Sequence, residues 1–303
     1  MMRSIKRATS ARARTLFMGG LLVASVAALS VASPAMATPK GAFAVFAECP
    51  VTTANACIYA KTESGSFTVG KKNVPIVTPV ILQGGLKENG SELEFLAAKN
   101  ASNTLTKSPQ NVPGGLTGLI NCKEITGKGI LETLERGSCE AVFEHGVTQV
   151  LATTELAASA NHIHINLGNL LRGTGTALEL PVKVHLENSL LGSSCYVGSN
   201  SAPIYIPLTT GTTSPPPPNK PIKGNPGIFE GIEEGEILVV KENSLVNNSF
   251  AAPATNGCGG LFEFLIGPII NKQLGVPSAA GTNTAILNGT LEQAGAEAVK
   301  AHE

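Results

Sequence analysis

The chain has 303 residues, of which 22 are basic and 22 are acidic, and it contains no tryptophan. Every acidic residue is a glutamate, which excludes aspartyl proteases, triads oriented by aspartate and the Asp-rich loops that bind calcium. After residue 37 the only arginines are Arg136 and Arg172. Nucleic acid is held chiefly through clustered basic side chains, so no nucleic-acid partner is expected.

The first 37 residues have the pattern of a secretory signal peptide. Five basic residues and no acidic one precede an apolar run at residues 16–32, and Ala35-Met36-Ala37 provides a cleavage site. The run is short and interrupted by glycine, so cleavage is expected rather than a membrane anchor, with no transmembrane segment in the remaining chain. Cleavage would leave 17 basic against 22 acidic residues, a net charge near −5. The predicted location is secreted, either extracellular or associated with the cell envelope.

Short strand patterns separated by Gly, Pro and Asn dominate the rest of the chain. Period-2 alternation at residues 161–167 and 182–187 indicates strands with one face in the core. Glu63-Ser64-Gly65 predicts a hairpin turn between strands at residues 57–60 and 66–69. Further strands are predicted at residues 42–47, 74–82 (an edge strand, because it holds Pro75 and Pro79), 92–97, 141–144, 147–154, 203–209, 228–232, 236–241 and 285–292.

Helices are expected only as short pieces, at residues 116–120, 130–135 and 261–274. The fold class predicted is all-β: a disulfide-stapled β-sandwich or sandwich-like barrel with a few short helices. We expect one secreted β domain at residues 38–290. Within it, the Pro-rich residues 212–227 are expected to form a stiff connector rather than a docking peptide. Residues 291–303 are expected to be a frayed helix or a disordered C-terminal tail.

Six cysteines remain after the predicted cleavage site. An even number in an exported chain predicts three disulfides, with 15 possible pairings. Joining nearest neighbours gives Cys49–Cys57, Cys122–Cys139 and Cys195–Cys258. The scattered spacing, without any C-x-x-C pair, argues against a cysteine metal site.

Known catalytic motifs are absent from the sequence. There is no Gly-x-Ser-x-Gly elbow, phosphate-binding loop, dinucleotide fingerprint or His-Glu-x-x-His motif. A glutamate pair for glycoside hydrolysis cannot be selected, and the aromatic platforms of sugar clefts are missing. One enzyme hypothesis stays open: His162 and His164 project from one face of a predicted strand, and His185 or Glu187 on a neighbouring strand could complete a metal site.

The leading prediction is therefore a non-enzymatic surface or binding protein without a cofactor, acting on an unknown extracellular or envelope partner. The alternatives are a secreted hydrolase or metal-dependent enzyme using His162, His164 and His185, and a carrier of a small apolar ligand. A carrier should contain a closed apolar cavity of roughly several hundred Å³. Nothing in the sequence locates such a cavity.

Several segments resemble a group of exported actinobacterial proteins to which no activity is assigned. The resemblance covers most of the chain after residue 37, and it implies export but no ligand or site residue. Its segments are residues 38–46 (TPKGAFAVF), Glu48-Cys49-Pro50, residues 182–186, residues 194–199 (SCYVGS), residues 209–221 (TTGTTSPPPPNKP) and residues 249–260 (SFAAPATNGCGG).

Overall fold

The computed structural model describes residues 38–90, 92–118 and 148–303. The predicted signal peptide, the pair Cys122 and Cys139, and the elements predicted at residues 130–135 and 141–144 lie outside this part of the chain. The prediction of an all-β protein with a few short helices is confirmed, because antiparallel strands make up most of the regular secondary structure in the described residues.

The described residues contain fourteen strands and three α-helices, together with several short 3₁₀ helices. The strands are β1 (Ala56–Val69), β2 (Lys72–Pro75), β3 (Val80–Asn89), β4 (Glu92–Ala97), β5 (Gln110–Asn111), β6 (Leu151–Leu156), β7 (His164–Ile165), β8 (Leu178–Glu187), β9 (Tyr196–Val197), β10 (Ile204–Leu208), β11 (Ile228–Ile232), β12 (Ile237–Asn247), β13 (Thr255–Asn256) and β14 (Thr284–Gly295). The helices are α1 (Leu167–Arg172), α2 (Glu263–Leu274) and α3 (Ala296–Ala301).

These strands form one antiparallel sheet in the order β11-β12-β14-β1-β3-β4-β7-β8-β6-β5, with β2 paired to β1, β9 and β10 paired to β8, and β13 paired to β9. The sheet closes on itself where Thr209, directly after β10, exchanges two backbone hydrogen bonds with Val246 of β12, at 3.0 and 2.8 Å. The circuit from β12 through β14, β1, β3, β4, β7, β8 and β10 therefore returns to β12. The main apolar core lies inside this closed circuit.

β8 is the central strand of one wall, and it follows the alternation predicted for residues 182–187. Its even-numbered residues, from Leu178 to Leu186, are all buried in the core. Lys183, His185 and Glu187 project from the opposite, outer face and are half-buried. The outer face of β8 is thus polar and its inner face apolar, as expected for a strand with only one side in the core.

β1 is a single 14-residue strand, so the predicted hairpin at residues 63–65 is wrong. Both halves of β1 pair with β14, and the register shifts at a bulge between Thr62 and Ser64. Gly65 has a φ of +125°, and the carbonyl oxygen of Ile286 occupies the position that a Cβ would take. A glycine that looks like a turn signal is here a strand residue just after a bulge, required by the close approach of two backbones.

The strand predicted at residues 42–47 is wrong, because Gly41–Phe46 form a 3₁₀ helix. Phe43 and Phe46 are its two buried side chains. They lie three residues apart, which places them on the same side of a helix with three residues per turn. The run therefore buries every third residue, as a 3₁₀ helix does, and not every second residue, as a strand would.

The strand predicted at residues 161–167 is also mostly wrong. Only His164 and Ile165 form the short strand β7, between a 3₁₀ helix at Ala160–His162 and the start of α1. The side chain of Asn166 accepts a hydrogen bond from the backbone N–H of Asn169 at 2.9 Å and so caps α1. This N-cap ends the extended segment, because it stabilises the first turn of a helix.

Two of the three predicted disulfides lie in the described residues. Cys49 is bonded to Cys57, and Cys195 to Cys258 across 63 residues. The second bridge spans the Pro-rich residues 212–227, which are themselves fixed to the body by backbone hydrogen bonds. Thr213 N–H donates to Ile222 O at 2.9 Å, and Asn219 N–H donates to Gly281 O at 3.1 Å. The Pro-rich segment thus folds back on itself and lies against the domain.

The C-terminal residues are ordered, in contrast to the frayed or disordered tail expected from their composition. β14 continues to Gly295, and α3 packs against a second apolar cluster with Val299 fully buried. His302 stacks on Phe43, with ring centroids 4.0 Å apart. In the part of the chain that the structure describes, no helix is long and apolar enough to cross a membrane.

Candidate functional site

An apolar cavity of about 140 Å³ lies inside the closed sheet. All five inward-facing side chains of β8 line one wall, together with residues of β6, β9 and β10. The opposite wall is formed by β1, β2, β3, β12 and β14. The polar residues of the lining are Thr62, Lys72, Ser108, Gln110 and Thr154. A molecule in this space would be held mainly by apolar contact, with few polar groups to orient it.

The more accessible part of the cavity lining lies on the side of β2. The half-buried lining residues come mainly from β1, β2 and the start of β3, whereas the lining on β8 and β10 is buried. Lys72, Val74 and Ile76 alternate along one face of β2 and its extension, and Val80 begins β3 beside them. We call these four residues the mouth of the cavity.

Residues 76–79, which we call the mouth loop, are held by the side chain of Gln110. This side chain is 7% exposed. Its Oε1 accepts hydrogen bonds from the N–H groups of Val77 at 2.8 Å and Thr78 at 3.0 Å. Its Nε2 donates to the carbonyl oxygens of Thr78 at 2.6 Å and Ser108 at 3.1 Å. One buried amide thus satisfies the backbone of the loop beside the mouth.

The mouth loop also explains why the edge strand predicted at residues 74–82 is wrong. β2 ends at Pro75 and β3 begins at Val80, directly after Pro79. Proline has no N–H to donate to a strand ladder, so the two prolines bracket a loop instead of continuing one strand. The hydroxyl of Ser108 donates to the carbonyl oxygen of Pro79 at 2.6 Å and fixes the end of the loop.

The three histidines of the metal hypothesis lie away from the cavity and are not brought together. His164 on β7 is paired with Glu179 of β8, six residues from His185 along that strand. At about 3.3 Å per residue, His164 and His185 are separated by roughly 20 Å. His162 is exposed, and its Nδ1 lies 3.1 Å from both Ser159 Oγ and Asn161 Oδ1.

Among the described residues, the acidic and thiol side chains form no metal site either. Within residues 38–90, 92–118 and 148–303, no group of three or more His, Cys, Asp or Glu side chains lies close enough to hold a metal ion. His164 does line an open groove of about 540 Å³ with Leu93, Asn166 and Glu179. The groove shares no lining residue with the interior cavity, and neither His162 nor His185 lines it.

His185 belongs to a packed polar cluster on the outer face of β8. Its ring stacks on Tyr196 with centroids 4.5 Å apart, and its Nδ1 lies 3.8 Å from Glu187 Oε1. The Nζ of Lys183 lies 4.6 Å from the centre of the same tyrosine ring. Burial, followed by the charge of Glu155, raises the pKa of Tyr196 above its ordinary value. These contacts hold the outer surface of the wall together.

Glu155 of β6 is the acidic centre of this outer cluster. Its carboxylate forms ion pairs with two lysines: Oε1 lies 2.9 Å from the Nζ of Lys107, and Oε2 lies 3.8 Å from the Nζ of Lys183. The hydrogen bond with Glu155, and then its charge, raises the pKa of Lys107. The ion pair between Glu155 and Lys183 joins directly paired residues of β6 and β8, so these charged side chains link the two strands.

The alternation at residues 182–187 identifies the apolar face of β8, but no sequence pattern marks the mouth. Lys72 and Gln110 lie in segments without a recognisable motif, and their position at one cavity depends on strands that are far apart in sequence. The two prolines at residues 75 and 79 are the one sequence signal for an interrupted strand beside it. No protein-family model, curated protein or solved structure matches this chain.

Proposed function

We propose that the protein binds a small apolar molecule in the cavity inside its sheet. The observation that carries this proposal is the apolar cavity of about 140 Å³ between β8 and the opposite wall. Protein interiors are close-packed, and voids larger than a water molecule are few. A cavity of this size beside a solvent-accessible mouth is therefore the best-supported binding site in the described chain.

An empty cavity of this kind is energetically costly. At about 24 cal/mol per Å³, a void of 140 Å³ corresponds to about 3 kcal/mol of lost stability. The whole stability of a domain is on the order of 5–15 kcal/mol. A ligand that fills the space would restore the missing contacts, and its binding would raise the free energy of unfolding.

The cavity volume limits the ligand to a small molecule. It is smaller than the roughly several hundred Å³ expected for a carrier of larger ligands. An engineered cavity of about 150 Å³ in another protein takes up benzene, so the apolar part of the ligand here should contain about six carbon atoms. Long-chain lipids would not fit within this volume.

We further propose that this binding takes place outside the cytoplasm, in the extracellular space or the cell envelope. The bonds Cys49–Cys57 and Cys195–Cys258 support it, because disulfides form and persist in oxidising compartments. The signal-peptide pattern and the resemblance to exported actinobacterial proteins point in the same direction. The test is mass spectrometry of protein recovered from the medium or envelope, with Thr38 as the expected first residue. Recovery only from the cytoplasm with residues 1–37 intact would contradict export.

Binding is tested with benzene and 1-hexanol as probes. The full chain is produced with its export signal, purified from the medium or envelope and titrated by calorimetry and thermal unfolding. A probe at 100 times its Kd should add about 2.7 kcal/mol to the free energy of unfolding, which for a chain of this size raises Tm by about 5 °C or more. If neither probe shifts Tm or releases heat up to its solubility limit, the proposed function is wrong.

A further inference from the structure

The lining of the cavity contains one ionisable side chain, Lys72. It lies on β2 on the same face as Val74, and both residues are half-buried. The other polar residues of the lining are neutral. The cavity and its mouth therefore carry a single positive charge and no negative one.

Lys72 differs from the other half-buried lysines of the described chain. Four lysines are half-buried: Lys61, Lys72, Lys99 and Lys183. Lys61 pairs with Glu63, Lys99 with Glu303 and Lys183 with Glu155. Lys72 has neither an ion pair nor a side-chain hydrogen bond with any described residue. The remaining described lysines are exposed, where water solvates the ammonium group.

Lys72 is half-buried as a residue, and no described carboxylate offsets the positive charge of its ammonium group. The protein pairs each of the other three half-buried lysines with a carboxylate. A carboxylate supplied by a ligand would give Lys72 the same kind of partner, and the charge-assisted hydrogen bond would fix the orientation of the ligand at the mouth.

We infer that the ligand is a small amphipathic monocarboxylate, with an apolar chain or ring of about six carbons in the cavity and its carboxylate at Lys72. This inference rests on the proposed function and adds the chemical class of the ligand. Lys72 acts as the specificity-determining residue, since the apolar walls bind any small hydrocarbon while the ammonium group selects an anion. A cationic ligand of the same size is disfavoured, because the lining has no carboxylate.

The test compares hexanoate with 1-hexanol, which has the same chain length and no charge, by calorimetry at pH 7. Hexanoate should bind the wild-type protein about 10-fold more tightly than 1-hexanol. Lys72→Met should remove this preference by weakening hexanoate about 10-fold and leaving 1-hexanol within about two-fold. Lys72→Arg should keep most of the preference for hexanoate over 1-hexanol. Lys71→Met, at the exposed neighbouring lysine outside the lining, serves as the matched control and should change neither affinity.

The outcomes separate this inference from the proposed function. If 1-hexanol binds and hexanoate binds no more tightly, or if Lys72→Met keeps the preference, the carboxylate assignment is wrong while the cavity still binds apolar molecules. If neither compound binds the wild-type protein, the proposed function itself fails. Thermal unfolding of each variant without ligand checks that Lys72→Met remains folded, and Lys72→Arg gives an independent readout of the charge.

Discussion

Gln110 and Thr78 are joined by a reciprocal pair of hydrogen bonds. The side-chain Oε1 of Gln110 accepts from the N–H of Thr78 at 3.0 Å, and its Nε2 donates to the carbonyl oxygen of Thr78 at 2.6 Å. The side chain thus pairs with the backbone much as a neighbouring strand would. Because Thr78 lies between two prolines, the mouth loop depends on this side chain for backbone partners that a continued strand would otherwise supply.

Replacing Gln110 by leucine should loosen the mouth loop. Gln110→Leu keeps the size of the side chain but leaves the backbone groups of Val77 and Thr78 without their partners. We expect a loss of about 1–3 kcal/mol of stability and faster release of a bound probe such as 1-hexanol. Stopped-flow release and hydrogen exchange at these two amides measure the effect.

The control for this experiment is Gln149→Leu. Gln149 is exposed, and its side chain donates to Asn111 Oδ1 on the neighbouring strand rather than to the mouth loop. The Gln149→Leu variant should release the bound probe at the same rate as the wild-type protein. Equal release rates for Gln110→Leu and wild type would show that the loop does not control access to the cavity.

Filling the cavity should stabilise the ligand-free protein and abolish probe binding. Ala285 of β14 is 1% exposed and lines the cavity, so the larger side chain in Ala285→Leu has space to enter. We expect about 1 kcal/mol of added stability and loss of the 1-hexanol signal. Ala294→Leu, on the same strand but in the second core cluster outside the cavity lining, should instead cost about 1–3 kcal/mol through overpacking. Equal destabilisation by both substitutions in urea unfolding would argue against an open cavity.

The close approach of β14 makes Gly65 of β1 far less tolerant of substitution than an ordinary turn glycine. In Gly65→Ala the new Cβ would collide with the backbone of Ile286, in addition to adopting a positive φ. We expect a loss of about 3 kcal/mol or more. Gly90→Ala is the matched control, because Gly90 also has a positive φ but no atom within 4 Å of its Cβ position, and it should cost only about 1 kcal/mol. Similar midpoints for the two variants in urea unfolding would contradict this close approach of the two backbones.

The two described disulfides should differ in their contribution to stability. Loop-closure entropy predicts about 4 kcal/mol for Cys195–Cys258 and about 2.5 kcal/mol for Cys49–Cys57, since the former closes a loop seven to eight times longer. The double variants Cys195→Ala/Cys258→Ala and Cys49→Ala/Cys57→Ala remove one bridge each. Urea midpoints should fall further for the first pair, and a larger fall for the second would show that strain or packing outweighs chain entropy.

Glu292 should make stability decrease as pH rises through the mildly acidic range. Burial between β1 and β12 raises the pKa of its carboxyl above the ordinary value. Between the unfolded and the folded pKa the folded state binds more protons, so the free energy of unfolding falls as pH increases, and above the folded pKa the cost of the buried carboxylate persists. Glu292→Gln should therefore raise Tm at pH 7 and have no such effect near pH 3. Exposed Glu88→Gln is the control, and an equal shift at both pH values would contradict this assignment.

Several elements follow from local sequence alone. The alternation at residues 182–187 correctly gives the two faces of β8, because side chains of an extended strand must point to opposite sides. The strand at residues 228–232 matches β11, and the helical segment at residues 261–274 contains α2. Joining each cysteine to its nearest neighbour in sequence correctly gives the two described disulfides, Cys49–Cys57 and Cys195–Cys258. Such pairs require only that the chain fold back towards the preceding cysteine.

Other features could not be derived from the neighbouring residues. Gly65 has the sequence context of a turn, and it becomes part of a strand only because β14 pairs with both halves of β1. The extended pattern at His162 and His164 is interrupted by the cap of α1. These local preferences are each worth about 1 kcal/mol, so long-range pairing and burial can override them.

The sequence by itself determines that the chain forms mostly β structure, with an apolar and a polar face on strands such as β8, because these depend on side-chain period and residue type. Only the tertiary structure decides that Lys72, Gln110 and the inner face of β8 meet around one cavity. Some of these residues are more than a hundred positions apart in the sequence. They meet because of the register between strands, the bulge in β1 and the closure of the sheet between Thr209 and Val246. Burial and pairing across such distances are properties of the closed sheet, which no local pattern encodes.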